Sequence, residues 1–271
     1  MSLKLSDYKF DRKFNILVIG DPGTGKTTLA ASAPGRKYIF AFEDGVTSVA
    51  KIPAARESVE YDLFLPKPHL PIALTEAAKA KQRHYPGQSW TQAMTRLQEL
   101  SVNCPYDVVI VDSLTSMSQV CWENILTELN MLNAPPRAES RTAYGTLGIR
   151  CLQFFYGIIG LPCATICIGH ESYERNEETG QFQYRISAEG RMFSDRLSSG
   201  KDFGEIWRTV ILPTKDNQRV YKIDTAGNDK FPAKSRWGCF LPYEDLSIAA
   251  MLEKVQEKFG AAALRIEEIK P

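Results

Sequence analysis

The sequence predicts an α/β domain from three observations. β-Branched apolar runs recur at strand length, apolar stripes at helical spacing lie between them, and a glycine-rich turn joins the first run to a helix. The first run opens residues 14–34, FNILVIGDPGTGKTTLAASAP. Residues 16–19 are strongly β-prone, and residues 27–33 suit a helix that Pro34 stops.

Between strand and helix, Gly20, Gly25, Lys26 and Thr27 match GxxxxGK[ST], the loop that binds nucleotide phosphates. Gly20, Gly23 and Gly25 permit positive φ and a close backbone approach, so the amides of Asp21, Pro22's neighbours, Thr24 and Gly25 can turn toward an anion. Lys26 is expected on the β and γ phosphates, Thr27 on Mg²⁺ and Thr28 on the α-phosphate.

Composition bounds the rest. At 44% hydrophobic content, 271 residues suffice for one large domain with a sizeable core, about 14–240, and a C-terminal helical extension, about 243–268. A net charge of +1 argues against a generally basic, nucleic-acid-coating protein, although a local patch remains open. The six cysteines form no CxxC pair and no zinc spacing, which reads as reduced, mostly buried thiols in a cytoplasmic protein. No apolar run approaches the roughly 18 residues of a membrane helix, so no membrane partner is expected.

Along the chain, residues 37–42 (KYIFAF) predict a second strand ending in Glu43, Asp44 and Gly45. Carboxylates at a strand's carboxyl end lie where open α/β sheets place their ligands, although an ordinary acidic turn is the plainer alternative. Residues 59–65 suit a short strand, Pro66, Pro68 and Pro71 break regular structure, and helices are expected over 72–84 and 89–101.

Residues 106–112 (YDVVIVD) form an apolar strand closed by Asp112, the Walker B pattern, whose carboxylate holds the Mg²⁺ shell through Thr27 or water. Leu114, Met117, Cys121, Ile125 and Leu129 then trace a helix over 114–131, followed by a loop over 132–140. Leu147, Cys151, Phe154, Phe155 and Ile158 mark a second helix running to about 159.

Residues 163–169 predict a further strand ending at His170, which could donate to a γ-phosphate or simply cap the strand. A hairpin around 178–181 and a mobile loop near 189–203 are expected next, then strands near 206–212 and 218–224. Lys234 and Arg236 flank a serine beside Trp237, either as functional cations or as a solvated strand edge.

With these elements in order, the chain resembles the RecA-type P-loop ATPases, and more closely the phage-encoded nucleotide-binding ATPases associated with single-strand annealing recombination. The resemblance rests on GDPGTGKT at 20–27, FEDG at 42–45, VVIVDSLTSM at 108–117, IGHE at 168–171 and AKSRW at 233–237. It implies a mostly parallel central sheet flanked by helices on both faces, with an antiparallel β-hairpin region toward the C-terminus. The strand ending at His170 would lie between the phosphate-loop and Walker B strands, turning His170 to the γ-phosphate.

The resemblance also implies ATP and Mg²⁺ as cofactors, with Glu43 activating the attacking water and Asp44 as the competing choice. Lys234 and Arg236 would act in a neighbouring subunit's site, which requires a homo-oligomeric ring or filament. Implied partners are single-stranded DNA and a phage single-strand binding protein.

DNA would meet residues 132–141 and 172–204. The first stretch offers Arg137 and Arg141 against Glu139. Residues 171–205 carry eight acidic against five basic side chains, a poor electrostatic funnel unless Arg185, Arg191, Arg196 and Lys201 segregate onto one face. Phe182, Tyr184 and Phe193 could stack on bases or belong to the core.

Overall fold

The computed structural model describes residues 13–66, 88–129, 140–175, 180, 182–214, 216, 218–228 and 233–260. In chain order the elements are β1 (Asn15–Gly20), α1 (Lys26–Ala31), β2 (Lys37–Ala41), α2 (Val46–Val49), α3 (Pro53–Ser58), β3 (Val59–Leu63), α4 (Gln88–Val102), β4 (Val108–Asp112) and α5 (Leu114–Glu128). There follow α6 (Ser140–Gly160), β5 (Ala164–Arg175), β6 (Phe182–Ser187), α7 (Arg191–Ser198), β7 (Glu205–Pro213), β8 (Arg219–Asp224), β9 (Lys234–Ser235), β10 (Tyr243–Asp245) and α8 (Ile248–Phe259).

These strands form one sheet in the order β10-β8-β7-β1-β5-β4-β2-β3, with β6 joined to β5 and β9 to β7. Six strands, β1 to β5 and β7, run parallel to their neighbours in the body of the sheet. The antiparallel additions are β6, β8, β9 and β10. β5 lies between β1 and β4, the position the resemblance implies.

Both faces of β1, β2, β4 and the first half of β5 are buried, and successive residues enter opposite cores. Leu17, Ile19, Tyr38, Phe40, Val109, Val111 and Cys167 point to the face covered by α4, α5, α6 and α7. Ile16, Val18, Ile39, Val108, Ile110, Ile166 and Ile168 point to the other, covered by α1, α2, α3 and α8. The α6 stripe is buried in full, whereas Leu129 of the α5 stripe is 49% exposed because it falls at the helix C-cap.

Three expectations need correction. The stretch near 189–203 is not a mobile loop: it holds α7, whose Phe193 and Leu197 are four residues apart and both buried. That i, i+4 pair sits among polar residues and is easily passed over. β5 does not end at His170 but continues to Arg175, because its polar residues pair with β6. The C-terminal helix begins only at Ile248, where the Ser247 side chain accepts from Ala250 N, and the preceding residues pair as β10 with β8.

The expected helix over 72–84, Pro68 and Pro71, the loop residues Arg137 and Glu139, most of the 178–181 turn, and the helix beyond Gly260 lie outside the described residues. No helix among the described residues is long and apolar enough to cross a membrane.

Candidate nucleotide site

The register of the parallel strands carries Gly20, His170, Asp112 and the residues after Ala41 to the same carboxyl edge of the sheet: Gly20 pairs with His170, and Ala41 with Asp112. Motifs separated by up to 150 residues meet there because each follows a strand of one parallel set. The loop between β1 and α1 and the ends of β2 and β5 enclose a cavity of about 440 Å³. Pro22, Gly23, Gly25, Lys26, Thr27 and Thr28 form its floor, and Glu43 and His170 stand at its wall.

The loop needs its glycines. Gly20, Gly23 and Gly25 take φ of 148°, 78° and 93°. A Cβ on Gly20 would also stand 2.4 Å from Thr209 Oγ1. Thr24 is buried and faces away from the cavity: its hydroxyl donates to Asp21 O at 2.7 Å and lies 2.6 Å from Thr209 Oγ1, fastening the loop to β7. Gly20 and Asp21 likewise serve the loop's shape rather than lining the cavity, and their carbonyl oxygens accept from Lys26 Nζ at 2.8 Å each. Burial lowers the Lys26 pKa, while Glu43, Asp112, Glu171 and Asp21 work against that fall. This ammonium is desolvated, surrounded by carboxylates and held only by neutral carbonyls, so a polyphosphate can recruit it at little cost.

Beside the lysine, Thr27 Oγ1 donates to Asp112 Oδ2 at 2.8 Å. Asp112 is fully buried at the end of β4, its peptide to Ser113 is cis, and its Oδ1 has no hydrogen-bond partner among the described residues. Burial first, then the charge of Glu43, push its pKa up. A hydroxyl and a carboxylate with a buried, unpartnered oxygen are a donor set that would suit a Mg²⁺ ion. Among the described residues no cluster of three or more His, Cys, Asp or Glu could hold a metal alone, and Mg²⁺ bound in this way needs none.

Glu43 reaches over the end of β4 from the other side. Its Oε2 is 3.0 Å from His170 Nε2 and accepts from Ser116 Oγ at 3.0 Å. Burial opposes its ionisation, but the hydrogen bond and charge of His170 prevail and hold its pKa low. Glu43 is thus an oriented carboxylate at the cavity wall, while Asp44 is exposed beyond it, its carbonyl accepting from Thr47 Oγ1.

Lys234 and Arg236 are not brought to this cavity. β9 pairs with the start of β7 at the amino edge of the sheet, where Lys234 Nζ donates to Gly200 O and Arg236 is exposed.

Two site residues carry no motif. Tyr221 on β8 and Leu246 after β10 line the cavity from far downstream of the loop, and only the sheet topology reveals them. Gly45 has an ordinary φ of −74°, but a Cβ there would meet Asp112 Oδ2 at 2.7 Å. Ser116 lies inside the VVIVDSLTSM motif, on the first turn of α5, so its contact with Glu43 had a sequence signal.

The sequence model of the AAA domain matches residues 12–237, most of the chain. The chain belongs to the AAA domain family. No curated protein matches it. Family membership carries nucleotide binding and hydrolysis as the coarse function, and in this AAA domain the glycine loop, Thr27, Glu43 and His170 converge on one cavity, with Asp112 joined to it through Thr27.

Proposed function

We propose that the protein is a Mg²⁺-dependent ATPase of RecA-like type that acts on single-stranded DNA in phage recombination or replication, assembled as a ring or filament. The observation that carries the ATPase reading is the Glu43–His170–Asp112–Thr27 cluster above the glycine loop. Lys26 and the loop amides bind the polyphosphate. Thr27 and Asp112 would hold Mg²⁺, which would supply charge neutralisation to the phosphates. Glu43, fixed by His170 and Ser116, orients the attacking water and takes its proton. His170 reports the state of the γ-phosphate through Glu43.

For DNA, the support is aromatic. Tyr173 and Phe182 stack at 4.6 Å on the β5–β6 hairpin and are 54% and 45% exposed, with Tyr184 edge-on at 4.7 Å. Base stacking on such a surface tolerates any sequence. Phe193 is buried in the core and takes no part.

A second reading, a nucleotide-switched assembly or protein-interaction module without DNA, draws support from the cations of this region. Arg185 pairs with Asp195 at 2.6 Å and Arg196 with Asp202 at 2.7 Å, so their charge is already answered within the chain.

The test is ATP turnover with Mg²⁺ at low salt, with and without single-stranded DNA. Turnover stimulated by DNA supports the first reading. Turnover indifferent to DNA, with no DNA binding, supports the second, and absence of ATP binding defeats both.

A further inference from the structure

The lining of the cavity divides by chemistry. Lys26, Thr27, Glu43 and His170 form a charged region suited to phosphates, metal and water. Tyr221 and Leu246 form an aromatic and aliphatic one beside Gly25. A Cβ placed on Gly25 would lie 2.7 Å from Leu246 Cδ2 and 3.9 Å from Tyr221 Cδ1, so both side chains flank the point where the loop enters α1.

Their placement is built by the antiparallel extension of the sheet. β10 pairs with β8 so that Asp245 faces Lys222, and the Lys222 ammonium donates to Asp245 Oδ1 at 2.6 Å. One step further along that register sets Leu246 opposite Tyr221. The chain beyond Leu246 is fastened by Ile248 N donating to Ser32 Oγ, just after α1. Leu246 is therefore held against the phosphate loop from both sides. Tyr221, by contrast, is 43% exposed, two residues before the buried Ile223 on the same face of β8. An exposed ring that lines a cavity and is braced by an aliphatic neighbour offers a flat apolar face to a planar ligand.

We infer that Tyr221 and Leu246 form the base subsite: the nucleobase of the bound nucleoside triphosphate lies against the Tyr221 ring, with Leu246 closing the side toward Gly25. This rests on the phosphate-binding reading of the loop and adds to it which residues hold the other end of the ligand. Stacking of a base on an aromatic ring is worth enough that its loss is read as a change in affinity on the order of 10-fold to 100-fold.

The experiment compares two ligands on the full chain by calorimetry, Mg·ATP and Mg·tripolyphosphate, the second having phosphates but no base. Tyr221→Ala is expected to weaken ATP by about 10-fold or more while leaving tripolyphosphate within about 2-fold. Tyr221→Phe, which keeps the ring, is expected to keep ATP affinity. Unchanged ATP affinity in Tyr221→Ala overturns the inference. An equal loss of both ligands also overturns it, since that would mark Tyr221 as a prop for the loop. If the unaltered chain binds neither ligand, the phosphate-loop reading itself falls, whereas a chain that binds tripolyphosphate normally but ignores Tyr221 loses only the base subsite.

Discussion

Glu43 Oε2 and His170 Nε2 lie 3.0 Å apart across the end of β4, so side chains from two strands that do not touch are joined above a third. The strand they bridge ends in Asp112, the metal-binding candidate. A water held by Glu43 would thus sit next to the phosphate that Mg²⁺ and Lys26 engage. Glu43→Gln keeps the shape and removes the base. It should bind ATP within about 3-fold of the unaltered chain and hydrolyse it about 10²-fold to 10⁴-fold more slowly, read by phosphate release and nucleotide titration. Asp44→Asn should turn over normally, and the opposite pattern would move the role to Asp44.

Gly45 is required for space and not for backbone freedom. Its φ is that of an ordinary helical residue, yet a Cβ would lie 2.7 Å from Asp112 Oδ2 and 3.1 Å from Thr27 Oγ1, the two candidate Mg²⁺ ligands. Gly45→Ala should therefore weaken ATP binding by about 10-fold in the presence of Mg²⁺, roughly 1.4 kcal/mol, with a much smaller effect in excess EDTA. Equal affinities with and without metal would separate Gly45 from the metal pair.

A buried ion pair follows directly after His170. Arg208 Nε donates to Glu171 Oε1 at 2.7 Å and its Nη2 to Oε2 at 3.0 Å, with the Glu171 side chain 2% exposed. The guanidinium also lies 5.5 Å from the Tyr184 ring centroid, linking β7 to the β5–β6 hairpin. Removing one partner strands a buried charge, so Glu171→Ala should lower unfolding free energy by about 3–5 kcal/mol in urea titrations. The double variant Glu171→Gln, Arg208→Met should recover more than half of that loss. A single-variant cost below about 1 kcal/mol would show that water reaches the pair.

At the opposite edge of the sheet, the thiols of Cys104 and Cys163 are 3.6 Å apart. The contact with Cys163 lowers the Cys104 pKa, outweighing burial, while Cys163 is driven up by the same contact. The thiolate of Cys104 then persists to lower pH than that of a free thiol. Its alkylation by iodoacetamide, followed by mass spectrometry, should reach half its plateau rate below the pH of about 8.5 expected of an ordinary cysteine. Cys163→Ala should move that midpoint upward.

How far the sequence foretold this site depends on whether a residue's role is local. The glycine loop, Thr27 and Asp112 were readable because their chemistry demands fixed types at fixed spacing on a strand–loop–helix unit. The helical stripes of α5 and α6 were readable from their period. Tyr221 and Leu246 were not, since neither has a local pattern and each reaches the cavity through antiparallel pairing at the far side of the sheet. Thr209 escaped for the same reason: its hydroxyl matters only because β7 lies beside β1. α7 was misread because eight residues with a single apolar i, i+4 pair give a weak period.

The cations near the C-terminus give the last prediction. Ser235 pairs with Glu205, and Glu205 with Ile16, four residues before Gly20 on β1. At about 3.3 Å per residue this sets β9 on the order of 13 Å below the phosphate loop, at the wrong edge of the sheet to serve its own site. The buried Glu205 carboxylate accepts from Arg236 N at 2.8 Å and from Trp237 N at 3.2 Å, and so fixes the turn that leaves Arg236 exposed. Lys234 is engaged with Gly200 O, which makes Arg236 the freer of the two to meet another subunit. If Arg236 acts in a neighbour's site, Arg236→Ala and Lys26→Ala should each abolish turnover, yet an equal mixture should regain roughly a quarter of the activity. In a head-to-tail assembly that is the fraction of interfaces joining an intact loop to an intact arginine. Mixed assemblies that form by size-exclusion chromatography but remain inactive at every ratio would place Arg236 outside the catalytic machinery.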